Sequence, residues 1–387
     1  MAITGTRQVS WDFIRVVAVL GVVLGHVTFL GPRIMPGVEE YPVALGVRMG
    51  ASTLLVLSAY FACVTLRRGQ PGRWLVKRLA RLLPAYLAAV LVVYMVSRIA
   101  VLSFNGWEAS GGPLGWLFGA PHMTDPVHGA PAPWYLPDVA DLVSNVLLAP
   151  AWHRGWVPLD YSYWTLPLQV LAFVAAALIF SRRPNLTQVR NLARALVALS
   201  VVLSPLRLVP SVIDGPAHGL LAGLGVWNAY LFGLGVAIWL WSRGHVGAGE
   251  LSLLCAAGVL THFGSASWDI GAGVAFAAML AAIVAAARGK DWTFLQPVRR
   301  QLSWLAGITY CVYLVHQQLG YVLARVLSDA GLPGWPRLVA VLVAVLMGGY
   351  LLRALVEKPA YRVLTRPHGP TTSTLQAPVA TAGATGA

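Results

Sequence analysis

The amino-acid sequence predicts an all-α fold, a polytopic bundle of about ten membrane-spanning helices with both termini in the cytoplasm. Three observations carry this expectation. Hydrophobic residues make up 57% of the 387 and charged residues only 11%, with a mean hydropathy of +0.68. A soluble chain carries roughly 25% charged residues, because its surface faces water. The apolar residues are gathered into runs of about 20, long enough to cross the hydrocarbon core as helices. The cations are concentrated in alternate connections, the pattern that orients membrane helices.

The spans are predicted at 9–31, 43–66, 75–102, 161–181, 193–212, 218–241, 249–264, 268–287, 303–327 and 336–356. In the first, the apolar run Val16 to Leu30 is followed by Gly31-Pro32-Arg33 and not by a small-x-small cleavage site. It therefore reads as a retained helix and not as a signal peptide. The span at 249–264 is the shortest, and Val139 to Leu148 is the candidate for an additional interfacial or re-entrant segment. The runs are continuously apolar and not alternating strips of about ten residues, which favours helices over a barrel.

Charge placement tests this arrangement independently. With residue 1 inside, the second connection holds Arg67, Arg68, Arg73, Lys77, Arg78 and Arg81. The later inner connections hold Arg182, Arg183, Arg190 and Arg194, then Arg243, then Arg288, Lys290, Arg299 and Arg300; Lys358, Arg362 and Arg366 follow the last span. The outer connections carry chiefly Arg33 and Arg154, with the acids Glu39, Glu40, Glu108, Asp125, Asp138, Asp141, Asp160 and Asp214. Every connection agrees with one topology. The net charge of +14 thus follows the positive-inside rule, and its short clusters between apolar runs are unlike a nucleic-acid-binding face. No nucleic-acid partner is expected.

One membrane domain is predicted over residues 1–366. Within it, 103–160 is a long outer connection rich in Gly, Pro and Trp, a lid or binding loop by its length. Residues 367–387, of Pro, Thr, Ala and Gly without period, read as a disordered cytoplasmic tail. Internal repeats of the transporter kind are not visible. Cys63, Cys255 and Cys311 each lie inside an apolar run and read as buried small hydrophobes, with neither metal-ligand spacing nor a disulfide framework.

Ionisable groups in a membrane span are costly and mark candidate sites. Arg15 and His26 share the first span; eleven residues apart, they differ by about 20° around the helix and about 16 Å along it. They point the same way, Arg15 near the inner end and His26 toward the outer, either as a functional pair facing the bundle interior or as a snorkelling arginine and a hydrogen-bonded core histidine. Arg78 and Arg81 open the third span on one helix face, where they serve either as a phosphate clamp or as positive-inside anchors. His316 lies in the ninth span after Tyr310 and Tyr313; an imidazole there is either a general base or a satisfied histidine on an aromatic packing face. His262 and His153 fall near the outer face, and His122 and His128 in the long loop. No histidine has a metal-ligand partner spacing, so no catalytic metal is predicted.

These elements resemble, in order, those of the acyltransferase-3 family of integral membrane O-acyltransferases. Trp11 to Arg15, the run to Gly25 and then His26 resemble its Arg-x10-His opening helix. Leu57-Ser58-Ala59-Tyr60-Phe61 resembles its LSGF stretch with Ala59 for Gly, and Lys77 to Tyr86 its basic R-x-x-R-x-x-P-x-Y element. Trp164-Thr165-Leu166 is similar to WSL, Tyr310 to His316 to Y-x-x-Y-L-x-H, and Glu357-Lys358-Pro359 to E-x-P. The resemblance spans roughly residues 9–365. It departs at Gln169, where members commonly carry Glu, and in ending without the hydrolase-like domain that some members append.

The resemblance implies transfer of an acyl group, usually acetyl, from acyl-coenzyme A as co-substrate, with no bound cofactor, to a hydroxyl-bearing acceptor. Arg15, Arg78 and Arg81 would meet the coenzyme A phosphates. His26, with Arg15 and His316, would form the catalytic set, His26 either deprotonating the acceptor or carrying the acyl group. Tyr310, Tyr313 and Trp164 are the substrate-side candidates. The expected setting is the plasma membrane, as a multi-pass protein in contact with the lipid bilayer, and the expected acceptor is an envelope glycan or glycolipid. Tailoring of a secondary metabolite such as a macrolide is the rival within this chemistry; a transporter or flippase is the rival outside it. The loop tryptophans Trp107, Trp116, Trp134, Trp152 and Trp156 suit either sugar stacking or the membrane interface.

Overall fold

The computed structural model describes residues 8–366 except 67–69, 126, 154, 210, 211, 213, 214, 216, 267 and 268. The predicted tail at 367–387, and Arg67, Arg68, Arg154 and Asp214 of the charge pattern, lie outside the described residues.

The first helix, α1 (Val9–Leu24), continues through a π-helical turn at Gly25–Leu30 into a short turn at Gly31–Ile34. Its start is held from far along the chain, where Asp291 Oδ1 accepts the Ser10 N–H at 3.1 Å. Burial opposes ionisation of Asp291, but N–H groups of Ser10, Val9 and Trp292 outweigh it and hold the carboxyl below its usual range. The next helix, α2 (Gly50–Leu66), runs beside α1. Then α3 (Pro71–Asn105) opens with Pro71 in its first turn and ends at Gly106, whose φ of 67° is the left-handed cap that glycine tolerates. Pro84 lies inside α3 without ending it.

The outer connection is built, not slack. Strands β1 (Glu108–Ala109) and β2 (Pro121–His122) pair antiparallel. The interfacial candidate is α4 (Val139–Val146), 8 residues opened by an Asp138–Asp141 capping box. Arg98, buried in α3, donates to the carbonyls of Trp116 (3.2 Å), Pro137 (3.0 Å) and Gly119 (2.6 Å). Trp134 is buried and donates from Nε1 to the Pro36 carbonyl at 2.8 Å. These bonds clamp the loop over one end of the bundle, the outer end in the predicted orientation.

There follow α5 (Thr165–Ser181), α6 (Leu186–Leu203), α7 (Ala229–Ser242), α8 (Ala248–Ser265), α9 (Ile270–Ala287), α10 (Arg299–Val315), α11 (Gln318–Asp329) and α12 (Gly334–Leu352). Among the described residues, six helices are long and apolar enough to cross a membrane. The count is seven if the pair Ala217–Gly223 and Val226–Ser242, bent by 44°, is one span. Of the predicted span at 43–66 only Gly50–Leu66 is helical, as α2, residues 43–49 being irregular chain and a turn; those at 249–264 and 303–327 are helical in α8 and in α10 with α11. The last was expected to be continuous. Instead the helix breaks at His316 and Gln317, and both halves pack on α12.

Packing explains why α1 is buried on more than one side, with Leu20 its exposed position. Trp11, Ile14 and Ala18 join the core of α2, α7 and α9, while Val19, Val23 and Val27 join that of α10 to α12. At Gly50 the approach of α2 to α1 is so close that a Cβ would lie 2.1 Å from the Ala18 carbonyl oxygen, the small-residue contact by which membrane helices pack backbone to backbone. On α3, Leu91, Val92, Met95 and Ile99 stay exposed, as do Val339, Val343 and Met347 on α12. Such bare apolar faces suit lipid and not water.

Candidate active site

Two cavities lie against α1, named inner and outer by the orientation that the charge pattern predicts. The inner one, about 160 Å³, is lined by Arg15, Arg78, Arg81, Gln169, Tyr310 and Tyr313, with the Ser58-Phe61 side of α2. The outer one, about 390 Å³, is lined by His26, Trp164, Tyr230, His262 and Tyr313. Tyr313 and Ala51 line both, so the cavities adjoin across a thin partition.

The inner arginines are braced individually. Arg15 sits 3.6 Å from Asp12 and lies over the Phe61 ring at 5.0 Å; Asp12 in turn accepts from Ser303 Oγ at 2.9 Å. Arg78 donates to the Phe61 carbonyl (3.2 Å) and Thr65 Oγ1 (3.0 Å), and stacks near Trp74 and Phe173. Arg81 Nε is 3.4 Å from the buried Glu357, which also accepts from Cys311 Sγ at 3.1 Å. A second π-helical turn, Arg353–Glu357, carries that carboxylate into the bundle. Tyr310 donates to the Leu82 carbonyl at 2.7 Å, docking α10 on the basic turn of α3.

The two mid-bundle histidines meet. His26 Nδ1 lies 2.9 Å from His316 Nε2, with the rings stacked at 5.0 Å. The π-turn that starts at Gly25 and the break after α10 bring them together. His316 Nδ1 is 2.8 Å from the Tyr313 carbonyl. A carbonyl only accepts, so Nδ1 of His316 carries the hydrogen and its Nε2 the lone pair. His26 must then donate from Nδ1, which leaves its Nε2 as the basic nitrogen. That Nε2 has no protein hydrogen-bond partner among the described residues, and His26 lines the outer cavity.

A polar frame fixes this relay. Tyr313 donates its hydroxyl to the Ser162 carbonyl at 2.6 Å and accepts from Thr165 at 3.1 Å. The buried Asp160 accepts from the Ser162 backbone N–H at 2.8 Å, from the Ser162 hydroxyl, and from the Gln318 N–H at 2.9 Å. It thereby caps the turn before α5 and the start of α11, one residue beyond the break. Burial pushes its carboxyl up to about 6, against those three hydrogen bonds.

The predicted catalytic, donor-side and substrate-side residues thus line the two cavities or the relay between them: Arg15, Arg78, Arg81, Tyr310 and Tyr313 within, His26 and Trp164 without, and His316 behind His26. The loop tryptophans do not join them; neither cavity wall includes Trp107, Trp116, Trp134, Trp152 or Trp156. Two groups join the outer cavity that the sequence does not assign to it, His262, expected only near the outer face, and a pair of arginines. His262 is bonded to Ser52 (3.4 Å), Tyr230 (3.2 Å) and the Arg48 carbonyl (2.8 Å), and faces the same outer cavity as His26. Arg48 and Arg207 line that cavity too. Their signal was available, since cations at outer helix ends run against the positive-inside rule. Among the described residues no group of three or more His, Cys, Asp or Glu could hold a metal ion.

The arrangement joins an anion-attracting inner pocket, an oriented imidazole base and a larger outer pocket. In comparison with known proteins, the family model described as an acyltransferase domain matches residues 8–354. No curated protein and no solved structure matches the chain.

Proposed function

Since this chain belongs to the acyltransferase-3 family of membrane acyltransferases, we propose that it moves an acyl group, acetyl in the first instance, from acyl-coenzyme A to a hydroxyl of an envelope glycan or glycolipid. The carrying observation is the adjoining pair of cavities with His26 on the outer side of the partition and three arginines on the inner side. The charge pattern supports ten plasma-membrane spans with both termini cytoplasmic, which opens the inner cavity toward cytoplasmic coenzyme A.

In this reading Arg15, Arg78 and Arg81 hold the donor phosphates. The thioester reaches the partition at Tyr313 and Ala51, and the acceptor enters from outside. His26 Nε2 takes the proton of the acceptor hydroxyl, and the oxygen attacks the thioester carbonyl carbon. The C–S bond then breaks, and the sulfur leaves as a thiol with the proton that His26 had held. His316 keeps His26 in the required tautomer and accepts its Nδ1 hydrogen throughout, the part that an orienting carboxylate plays in a triad. Gln169 is a neutral amide in the inner wall and takes no proton.

The test is acetyl-coenzyme A consumption by purified protein in detergent, wild type beside Arg15→Ala and His26→Ala, with donor binding measured separately. Support would be turnover that disappears in the His26 variant while donor binding persists, together with weakened binding in the Arg15 variant. Full turnover by folded His26→Ala protein would refute the assignment of the base.

A further inference from the structure

The outer cavity has a chemical character that the transfer reaction alone does not require. Arg48 and Arg207 both line it, beside His26 and His262, and among the described residues its wall contains no carboxylate. Neither arginine has a carboxylate partner among the described residues. Arg207 is nonetheless held in place: Nη1 donates to Ser265 Oγ at 2.6 Å, Ser265 donates to the Thr261 carbonyl at 2.8 Å, and the guanidinium lies 5.1 Å from the Trp227 ring. Arg48 follows a segment pinned through its own carbonyl by His262 Nε2 at 2.8 Å. Both stand at the outer ends of helices, where the positive-inside rule disfavours them, and neither touches the inner, donor-side cavity.

We propose that the acceptor is anionic: it carries a carboxylate or phosphate on the same molecule as the reacting hydroxyl, and Arg48 and Arg207 bind that group while the hydroxyl faces His26. The inference rests on the acyl-transfer reading for its hydroxyl, but its anion site does not. A guanidinium braced by neutral hydroxyl and aromatic partners keeps its remaining N–H donors and its full charge for a ligand. Phe29, Trp164 and Tyr230 add ring faces to the same wall, suited to the carbon face of a sugar. An amine-bearing acceptor would meet like charge on two sides, and a neutral one would leave both guanidiniums without a counter-charge among the described residues.

The experiment measures binding, so it does not depend on turnover. Purified protein in neutral detergent is titrated with 4-nitrophenyl glucuronide, with its methyl ester, and with glucose 1-phosphate, at fixed ionic strength, beside an acetyl-coenzyme A titration. The glucuronide is expected to bind about ten-fold or more tighter than its uncharged ester, the scale of a charge-assisted hydrogen bond. The sugar phosphate arm tells a phosphate-selective site from a carboxylate-selective one. Arg207→Gln and Arg48→Gln should each erase the preference without altering acetyl-coenzyme A binding, and Arg207→Lys should restore part of it. Equal binding of acid and ester together with no saturable binding of the phosphate, in protein that binds acetyl-coenzyme A, would overturn the proposal. Anion preference without acetyl-coenzyme A binding would support this site and count against the donor reading instead.

Discussion

His26 and His316 stand 290 positions apart in the chain and 2.9 Å apart in the fold, joined Nδ1 to Nε2. The bond has a direction. His316 donates to the Tyr313 carbonyl from Nδ1 and must accept from His26, so the lone pair of the relay ends on His26 Nε2 at the outer cavity. The two residues are therefore unequal, and their variants should separate them.

His26→Ala is expected to lower turnover by about 10²- to 10⁴-fold, the range of a positioned general base. His316→Ala removes the orienting partner and should cost roughly ten- to hundred-fold, with donor binding intact. Combining them should cost little more than His26→Ala alone, because the residues act as one unit. Rates for the two single variants and the double variant, measured under saturating acetyl-coenzyme A, decide this; simple multiplication of the two losses would argue for independent roles.

The inner arginines should answer to their supports. Glu357 holds Arg81 at 3.4 Å, but the arginine side chain is 55% exposed, so solvent screens the pair. Glu357→Gln is expected to raise the KM for acetyl-coenzyme A by only about three-fold with kcat nearly unchanged. Arg78→Ala, which removes a guanidinium held at 3.0 Å and 3.2 Å by Thr65 and Phe61, should raise it about ten-fold or more. Steady-state kinetics on both variants would test the ranking, and a larger effect at Glu357 would assign that carboxylate a role beyond support.

Much of this site was legible in the sequence for one physical reason. A charged or imidazole side chain within an apolar run is costly unless it faces the bundle interior, and Arg15, His26 and His316 do face it. What was not legible depends on tertiary structure. The π-turn at Gly25–Leu30 and the break at His316–Gln317 leave no trace in hydrophobic periodicity, yet they bring the two rings into contact. Arg98 and Arg337 are buried cations as well. They serve packing: Arg98 donates to three loop carbonyls, and Arg337 binds Ser328 and the backbone and carboxylate of Glu39. Composition cannot tell those from Arg15. Asp160 reads as an ordinary outer-loop acid until its three hydrogen bonds are seen.

Asp160 gives a pH prediction with a definite sign. Its folded-state pKa of about 6 exceeds the ordinary 3.8 of an unfolded Asp, so the folded form holds its proton more tightly. The stability this confers, roughly 3 kcal/mol at most for such a shift, is complete below the unfolded value and lost as pH rises through about 6. Thermal unfolding in detergent should therefore show a midpoint that declines between about pH 4 and pH 6.5. Asp160→Asn should flatten that decline. It should also lower the midpoint near pH 5, since the amide places an N–H donor against that of Gln318. Identical slopes in wild type and variant would remove Asp160 as the titrating group.

Packing at the partition supplies the last prediction. A Cβ on Gly50 would lie 2.1 Å from the Ala18 carbonyl oxygen and 2.5 Å from Val22 Cγ2. A backbone oxygen inside α1 cannot turn aside as a flexible side chain can, so Gly50→Ala must push α2 away from α1, at about 1–3 kcal/mol. The next residue, Ala51, lines both cavities, and moving it widens the gap between the proposed donor and acceptor sites. Gly50→Ala is thus expected to lower thermal stability and turnover together. Gly72→Ala, at a helix start where a new Cβ meets nothing within 4 Å, should leave turnover unchanged and raise stability by about 0.4–1 kcal/mol. Thermal unfolding and turnover measured on both variants compare the two sites directly. Normal activity in a destabilised Gly50→Ala protein would mean that the partition tolerates displacement of α2.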